Sequence, residues 1–142
     1  MEYYSVPASR PVSDEERQAL LTMLQDLPAE FDVYRHQLEG LWVEGTCKCG
    51  CGSIDLVVRD KAPLGPHGRA VIGDGYVEWN DGERGDVIVF VDKGKLSFLE
   101  FVVYHLDDAS TLTPVRFWTQ QPRLLPSGSS GSAKSMGQDD GL

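Results

Sequence analysis

The spacing of apolar residues predicts helices at the start of the chain. Four of them recur every three or four positions and would form one stripe along a helix: Leu20, Met23, Leu24 and Leu27. Ser13, with Glu16 three residues later, has the capping-box pattern that begins helices, and Pro28 is expected to end this one. A second short helix is predicted over 29–38, with Gly40 as its stop.

From residue 41 onward the apolar pattern has a period of two, which is typical of β-strands. One face of the first strand would carry Leu41, Val43, Gly45 and Cys47, and the other Trp42, Glu44 and Thr46. Further strands are predicted in SIDLVV, RAVIGDGYVEW, DVIVFV and KLSFLEFVVY. Gly73 and Gly75 interrupt the third strand, which indicates a bulge or a close approach of another backbone. Gly94 in DKGK predicts a tight hairpin between the last two strands.

This order of elements predicts an α+β domain, with two N-terminal helices packed on a mostly antiparallel sheet of about five strands. We expect the helices to cover one face of the sheet and the other face to stay partly open for binding. The domain is predicted to span 13–126, after an extended arm at 1–12 that contains two prolines and no periodicity. The Ser- and Gly-rich residues 127–142 predict a disordered tail.

The charge of the chain restricts the class of partner. With 13 Lys and Arg residues against 22 Asp and Glu residues, the net charge is −9. Nucleic acid and anionic membranes are bound through Lys and Arg, so neither is an expected partner, whereas a basic protein is. The simpler interpretation is that the acidity serves solubility alone. No apolar run is long enough to span a bilayer and the first residues lack signal-peptide regions, so we expect a cytoplasmic protein.

The three cysteines occupy alternate positions in one predicted hairpin: Cys47, Cys49 and Cys51. Gly50 and Gly52 make a chain reversal easy there, so the sulfurs could converge on a zinc ion. The spacing is shorter than the paired-cysteine pattern common in zinc sites, and a fourth ligand would have to come from a carboxylate or a histidine. The histidines are His36, His105 and His67, of which we take His67, in the PLGPHG loop, as the candidate ligand.

The cysteines have two possible roles besides a structural zinc site. They could be small buried side chains next to a turn. They could also be redox-active thiols, but a reactive thiol needs positive surroundings that lower its pKa. Lys48 is the only basic residue nearby and the chain as a whole is acidic, which disfavours redox chemistry.

The segment GTCKCGCGSIDL resembles a pattern found in small uncharacterised proteins of high-GC bacteria, in which Cys-x-Cys-Gly-Cys precedes a strand similar to SIDL. YRHQLEGLWVEG before it and DKGKLSFLEFVVY after it are similar to the helix-to-strand lead-in and the closing hairpin of those proteins, so the resemblance covers about residues 30–105. Gly52 departs from the proline expected at that position. The resemblance implies a bacterial protein of this fold type and no established activity.

Acidic residues crowd around the third strand and the turn after it, next to a tryptophan: Asp74, Glu78, Trp79, Asp81, Glu83 and Asp86. An exposed ring beside carboxylates suits Lys and Arg side chains, so these residues are the predicted partner-binding patch, with Trp79 as its anchor. Trp42 and Trp118 are instead predicted to cap the core. No Gly-x-Ser-x-Gly segment is present and loop carboxylates are common, so no catalytic residue is assigned.

The sequence supports three hypotheses about function, in order of preference. The first is a non-enzymatic protein-binding module, of the inhibitor or immunity type, that neutralises a basic partner. The second is a zinc-binding protein that uses the cysteine hairpin, and the third is a small enzyme with a pocket on the open sheet face. An exposed Trp79 in an acidic patch would favour the first, convergent sulfurs the second, and a pocket with a titratable pair the third.

Overall fold

The computed structural model describes residues 5–48, 51–59, 61–104 and 112–119. Seven strands form one antiparallel sheet: β1 Ser5–Pro11, β2 Leu41–Cys47, β3 Ile54–Val58, β4 Ala70–Trp79, β5 Arg84–Asp92, β6 Lys95–Val102 and β7 Pro114–Thr119. Between β1 and β2 lie α1 Asp14–Leu24, a 3-10 turn Ala29–Phe31, α2 Asp32–His36 and a 3-10 turn Gln37–Gly40. The strands follow the order β1-β2-β3-β6-β5-β4-β7 across the sheet. The fold is therefore α+β, as predicted, and the sheet dominates it.

Helix α1 begins as the sequence predicts. The Glu16 N–H donates to Ser13 Oγ, and the Ser13 N–H donates back to the Glu16 carboxylate, which completes the capping box. The Arg10 guanidinium, on β1, binds both carboxylate oxygens of Glu16 at 2.9 and 2.8 Å. The helix ends at Leu24, so Leu27 lies beyond it, and the buried face carries Ala19, Leu20, Met23 and Leu24.

The second predicted helix, over 29–38, is divided into α2 and the two 3-10 turns that flank it. Contacts to other elements hold these short pieces in place. Arg35 Nε donates to the carbonyl of Leu24 at the end of α1. The fully buried side chain of Gln37 donates to the carbonyls of Pro63 and Gly94 and accepts the N–H of Leu96. Local helix propensity is a weak preference that such tertiary bonds override.

The prediction of about five strands is wrong at both edges of the sheet. Residues 5–11 of the predicted arm form β1, which pairs with β2 from Ser5 opposite Cys47 to Pro11 opposite Trp42. After Tyr104, where the apolar pattern fades, β7 pairs with β4. An edge strand has one partner and little buried surface, so its sequence carries a weaker alternation than that of a central strand. The predicted tail at 127–142 and residues 1–4 of the arm lie outside the described residues.

Both glycines of β4 lie beneath α1. The register shifts between Val71 and Gly73, which is the predicted bulge. A Cβ atom built on Gly75 would lie 2.9 Å from Met23 Cε and 2.3 Å from the Trp118 carbonyl oxygen, so the helix packs on bare backbone there. The predicted hairpin at DKGK is also confirmed, since Lys93 and Gly94 have φ angles of 54° and 77°.

The core lies between the helices and one face of the sheet. Its sheet side is formed by inward residues of the central strands, among them Val43, Ile54, Leu99, Val87, Val89 and Val77. Among the described residues α1 packs on this face through contacts with β4, β5 and β7, and α2 contacts α1. We call the opposite side of the sheet the open face; it carries Trp42, Asp55, Val57, Val71, Asp74, Tyr76, Glu78, Arg84, Asp86, Ile88, Phe90, Phe98, Glu100, Val102, Arg116 and Trp118.

Candidate functional site: the open face of the sheet

Aromatic rings extend across the open face in two cross-strand pairs. Phe90 on β5 lies opposite Phe98 on β6, with ring centroids 5.8 Å apart. Tyr76 on β4 lies opposite Trp118 on β7 at 5.7 Å. These side chains are only partly buried. Val71 on β4, the second cross-strand neighbour of Phe90, is 54% exposed. A solvent-accessible row of rings on a rigid sheet is a surface suited to anchoring a protein partner.

Carboxylates lie between the aromatic pairs. Asp74 on β4 and Glu100 on β6 are the two cross-strand neighbours of Ile88 on β5, so this apolar side chain has an acid on each side. Neither acid has an ion pair with another described residue. Asp86 occupies the next outward position of β5, opposite Tyr76. The centre of the open face is therefore both apolar and negatively charged.

Two arginines lie at the β4–β7 end of the open face, where the sequence predicts a purely acidic patch. Arg84 lies over Tyr76 at 5.3 Å and over Trp118 at 5.9 Å, measured from its guanidinium carbon to the ring centroids. Arg116 lies over Trp118 at 5.0 Å and donates to the Glu78 carboxylate at 2.8 Å. The predicted acidic patch thus has mixed charge at this end, and Glu78 is already paired.

A cavity of about 230 Å³ lies beside this end of the face, lined by Tyr76, Arg84, Gly85, Asp86 and Tyr104. The Tyr104 hydroxyl donates to the Asp86 carboxylate. This hydrogen bond raises the pKa of Tyr104 above its ordinary value, and the negative charges of Asp86 and Glu100 act in the same direction.

Trp79 is not an exposed anchor, so that prediction is wrong. Its side chain is 3% exposed and packs against Phe101 in the core, with ring centroids 5.9 Å apart. It falls on the inward side of β4, the side of Val77, because residues two apart share a face. Its indole Nε1 has no hydrogen-bond partner among the described residues. Trp79 also lines a cavity of about 200 Å³ next to the start of α1.

Two residues of the predicted patch, Asp81 and Glu83, lie in the turn between β4 and β5. Asp81 Oδ1 accepts the N–H of Glu83 at 3.0 Å, which stabilises the turn, and both residues are exposed. The Trp79 N–H donates to the Glu83 carbonyl at the base of the same turn. Of the six predicted residues, Asp74, Glu78 and Asp86 therefore share the open face. Asp81 and Glu83 lie in the adjoining turn, and Trp79 is buried.

A bulge in β2 alters the predicted row of cysteines. The register shifts between Val43 and Gly45, which places Gly45 opposite Asp55 and against the Ser5 and Asp55 side chains rather than in the core row. Cys47 and Cys51 are half-buried near the end of this hairpin, and Cys49 lies outside the described residues. Among described residues, no three His, Cys, Asp or Glu side chains are placed to hold a metal ion.

The buried Ser53 connects the cysteine hairpin to the centre of the sheet. Its Oγ accepts the Phe101 N–H at 2.8 Å, donates to the Phe101 carbonyl at 3.3 Å and accepts the Cys51 thiol at 3.2 Å. The Cys47 N–H donates to the Ser53 carbonyl. The Cys51 thiol thus acts as a weak hydrogen-bond donor in this arrangement.

His67 lies at the other end of the sheet. Its carbonyl accepts the N–H of Gly94 in the β5–β6 turn, and its ring stacks on Phe31 and bonds the Tyr34 hydroxyl at 2.8 Å. Since Gly94 precedes β6 and Phe101 lies near its end, roughly 20 Å of strand separates His67 from the Cys51 region. The described geometry does not bring His67 to the thiols, and zinc binding by the cysteines stays a prediction.

Two tryptophans that were predicted to cap the core lie on the open face instead. Trp118 belongs to the aromatic and arginine cluster, and the Arg59 guanidinium lies 4.3 Å from the centroid of Trp42. Trp42 could have been identified from the alternation in LWVEG, which separates it from Leu41 and Val43. Trp118 lies in a strand whose pattern is weak, so no comparable signal marks it.

No helix in the described part of the chain is both long and apolar enough to cross a membrane. The resemblance to proteins of high-GC bacteria stays a prediction. Comparison with models of protein families, with curated proteins and with solved structures finds no match to this chain.

Proposed function

We propose that this chain is a non-enzymatic protein-binding module that binds a basic protein through the open face, in the manner of an inhibitor or immunity-type protein. The observation that carries the proposal is the pair of acids, Asp74 and Glu100, on either side of Ile88 in the middle of an aromatic sheet face. Aromatic side chains supply most of the binding energy in many interfaces, and complementary charge around them selects the partner.

The charge of the whole chain supports a basic partner over a second copy of the same chain. At a net charge of −9, two copies stacked face to face would bring the Asp74 and Glu100 carboxylates of both into one interface. Like charges brought together in this way cost several kcal/mol. A partner with Lys or Arg side chains would instead pair with these acids and place its cations over the exposed rings.

A charge-reversal experiment tests the proposal. Immobilised protein is exposed to lysate at low and at high salt, and the proteins that bind are identified. We expect the wild-type chain to retain basic proteins at low salt and to release them at high salt, because the attraction between exposed charges is screened. The double variant Asp74→Lys/Glu100→Lys should lose these proteins, since both positions are partly or fully exposed and carry no ion pair among the described residues.

The matched control reverses two acids on the helical side of the molecule. Glu30→Lys/Glu39→Lys changes the net charge by the same amount at exposed positions away from the open face. We expect this variant to retain the same proteins as the wild-type chain. Equal loss in both variants would mean that only net charge matters, and absence of any retained protein at low salt would contradict the proposal.

A further inference from the structure

The two edges of the sheet differ in how well they are protected against another strand. β1 contains Pro7 and Pro11 and a register shift between Pro7 and Arg10, all of which disfavour further pairing. β7 has one proline, at its first position, and none after it. Within the described residues β4 is its only strand partner, so one side of its backbone is open.

A groove runs along the inner side of this open edge. Its volume is about 430 Å³, and its walls are the start of α1 and the first half of β7: Asp14, Glu15, Gln18, Pro114, Val115, Arg116 and Phe117. Val115 is 60% exposed. The groove is therefore lined by apolar surface on the strand side and by polar side chains on the helix side.

The free charges of the groove are negative. Asp14 and Glu15 are exposed and have no ion pair among the described residues. The cation in the lining, Arg116, donates to Glu78. Arg17, the nearest cation on α1, donates instead to the Leu38 carbonyl. Any side chain entering the groove therefore meets two exposed carboxylates in the first turn of α1 that form no ion pair with a described residue.

We propose that β7 accepts an extended segment of a basic protein as an added strand, with Lys or Arg side chains at alternate positions in this groove beside Asp14 and Glu15. Strand addition satisfies the open backbone groups of β7, and the period of two places every second side chain on the groove side. The remaining side chains would continue the open face beside Arg116 and Trp118. The inference rests on the proposed function for the basic character of the partner, but it assigns a different surface.

A synthetic peptide tests the inference without knowledge of the natural partner. The probe is a blocked peptide of alternating lysine and valine, titrated into isotope-labelled protein and followed by amide chemical shifts. Its control is the same peptide with N-methylated backbone nitrogens, which keeps the charge but removes the N–H donors. We expect shifts in β7 and α1 with the first peptide, and binding at least tenfold weaker with the second.

Two sets of variants locate the charges that matter. Asp14→Asn/Glu15→Gln should weaken binding of the peptide roughly two- to thirtyfold, the range for two exposed ion pairs. Gln18→Lys, which leaves the start of α1 unchanged, should weaken it as well. The control Asp26→Asn/Glu30→Gln removes two exposed acids outside the groove and should have no such effect.

Three outcomes would overturn the inference: equal binding of the N-methylated peptide, no effect of the groove variants, or loss of binding only in Asp74→Lys/Glu100→Lys. The last result would place the peptide on the open face, which would leave the proposed function standing while the edge site falls. Retained peptide binding in Asp74→Lys/Glu100→Lys, with loss in the groove variants, is the result we expect.

Discussion

At the scale of single residues, Gly85 shows how closely the strands and the Trp79 ring approach one another. A Cβ atom at this position would lie 2.1 Å from the Val102 carbonyl oxygen and 2.8 Å from Trp79 Nε1. Backbone atoms cannot move aside as a flexible side chain can. We expect Gly85→Ala to lower the free energy of unfolding by about 3 kcal/mol, at the upper end of the usual cost of overpacking.

The control for this prediction is Gly68→Ala. A Cβ atom at Gly68 meets nothing within 4 Å, and this glycine has no positive φ angle. Urea denaturation of both variants measures the difference. A cost for Gly85→Ala no greater than that for Gly68→Ala would contradict the close packing of the Trp79 ring against this strand.

The Arg10–Glu16 pair makes part of the stability dependent on pH. Burial by itself raises the pKa of Glu16, but the hydrogen bonds from Arg10 and Ser13 outweigh it and hold the pKa below the ordinary value of 4.5. A carboxyl whose pKa is lowered in the folded state stabilises that state above its unfolded pKa, and this contribution is lost as the pH falls through the folded pKa.

We therefore expect Glu16→Gln to cost about 1 kcal/mol at neutral pH, since the Arg10 partner is 39% exposed and solvent screens the pair. The difference from the wild-type protein should shrink as the pH falls below 4.5. Denaturation at a series of pH values measures it, with exposed Glu30→Gln as the comparison. A difference that stays constant between pH 7 and pH 3 would show that the pair contributes no electrostatic stabilisation.

Some residues of the candidate site could be predicted from the sequence, and others could not, for a definable reason. Asp74, Glu78 and Asp86 share the open face because they alternate with inward residues in strands that the pattern identifies. The prediction for Trp79 is wrong because neighbouring acids suggest exposure, whereas its position two residues after Val77 puts it inside. Glu100 is absent from the predicted patch because it enters the site through cross-strand pairing with Ile88, which a single strand does not reveal.

At the scale of elements, Gln37 couples the helical region to the loop before β4 and to the β5–β6 hairpin. Its fully buried side-chain amide makes three hydrogen bonds to backbone groups of Pro63, Gly94 and Leu96. We expect Gln37→Leu, which replaces the amide with an apolar side chain of similar size, to cost about 3 kcal/mol because it leaves buried backbone groups unpaired.

Hydrogen exchange separates this effect from a loss of packing alone. The Leu96 N–H loses its acceptor in Gln37→Leu, so its exchange should accelerate more than that of other β6 amides. The control is Gln25→Leu, at an exposed position after the end of α1. It should change neither the free energy of unfolding nor the exchange rate of the Leu96 N–H appreciably. Unchanged protection of the Leu96 N–H would mean that Gln37 is not what couples these elements.

Elements that are marked by a local sequence motif could be predicted. Strands that form only by pairing with a neighbouring strand could not. The capping box of Ser13 begins α1, and the positive φ angles at Lys93 and Gly94 form the hairpin, both as the sequence indicates. β1 and β7 form only because β2 and β4 offer them an edge. A register shift also lies between Val43 and Gly45, so the face on which Cys47 lies could not be predicted from alternation alone.

At the scale of the whole molecule, the change from helical spacing to strand alternation along the chain predicts the α+β class and the antiparallel sheet, but it does not predict the number of strands. Helical spacing precedes a long region of period two, and the helices pack on one face of a single sheet. The opposite face is thereby left open among the described residues, with aromatic side chains that neither the core nor the helices cover. The proposed preference of this face for a basic partner follows from the net charge of −9, because charge complementarity acts over the whole surface.

The measurement that tests this account most directly is site-specific photocrosslinking from the open face. A photoreactive amino acid replaces Ile88, which is partly exposed between Asp74 and Glu100, and in a second protein it replaces Glu39 on the helical side. Both proteins are irradiated in lysate at low salt. We predict a discrete crosslinked basic protein from position 88 and none from position 39. No adduct at position 88, or the same adduct from both positions, would contradict the claim that the open face binds a partner.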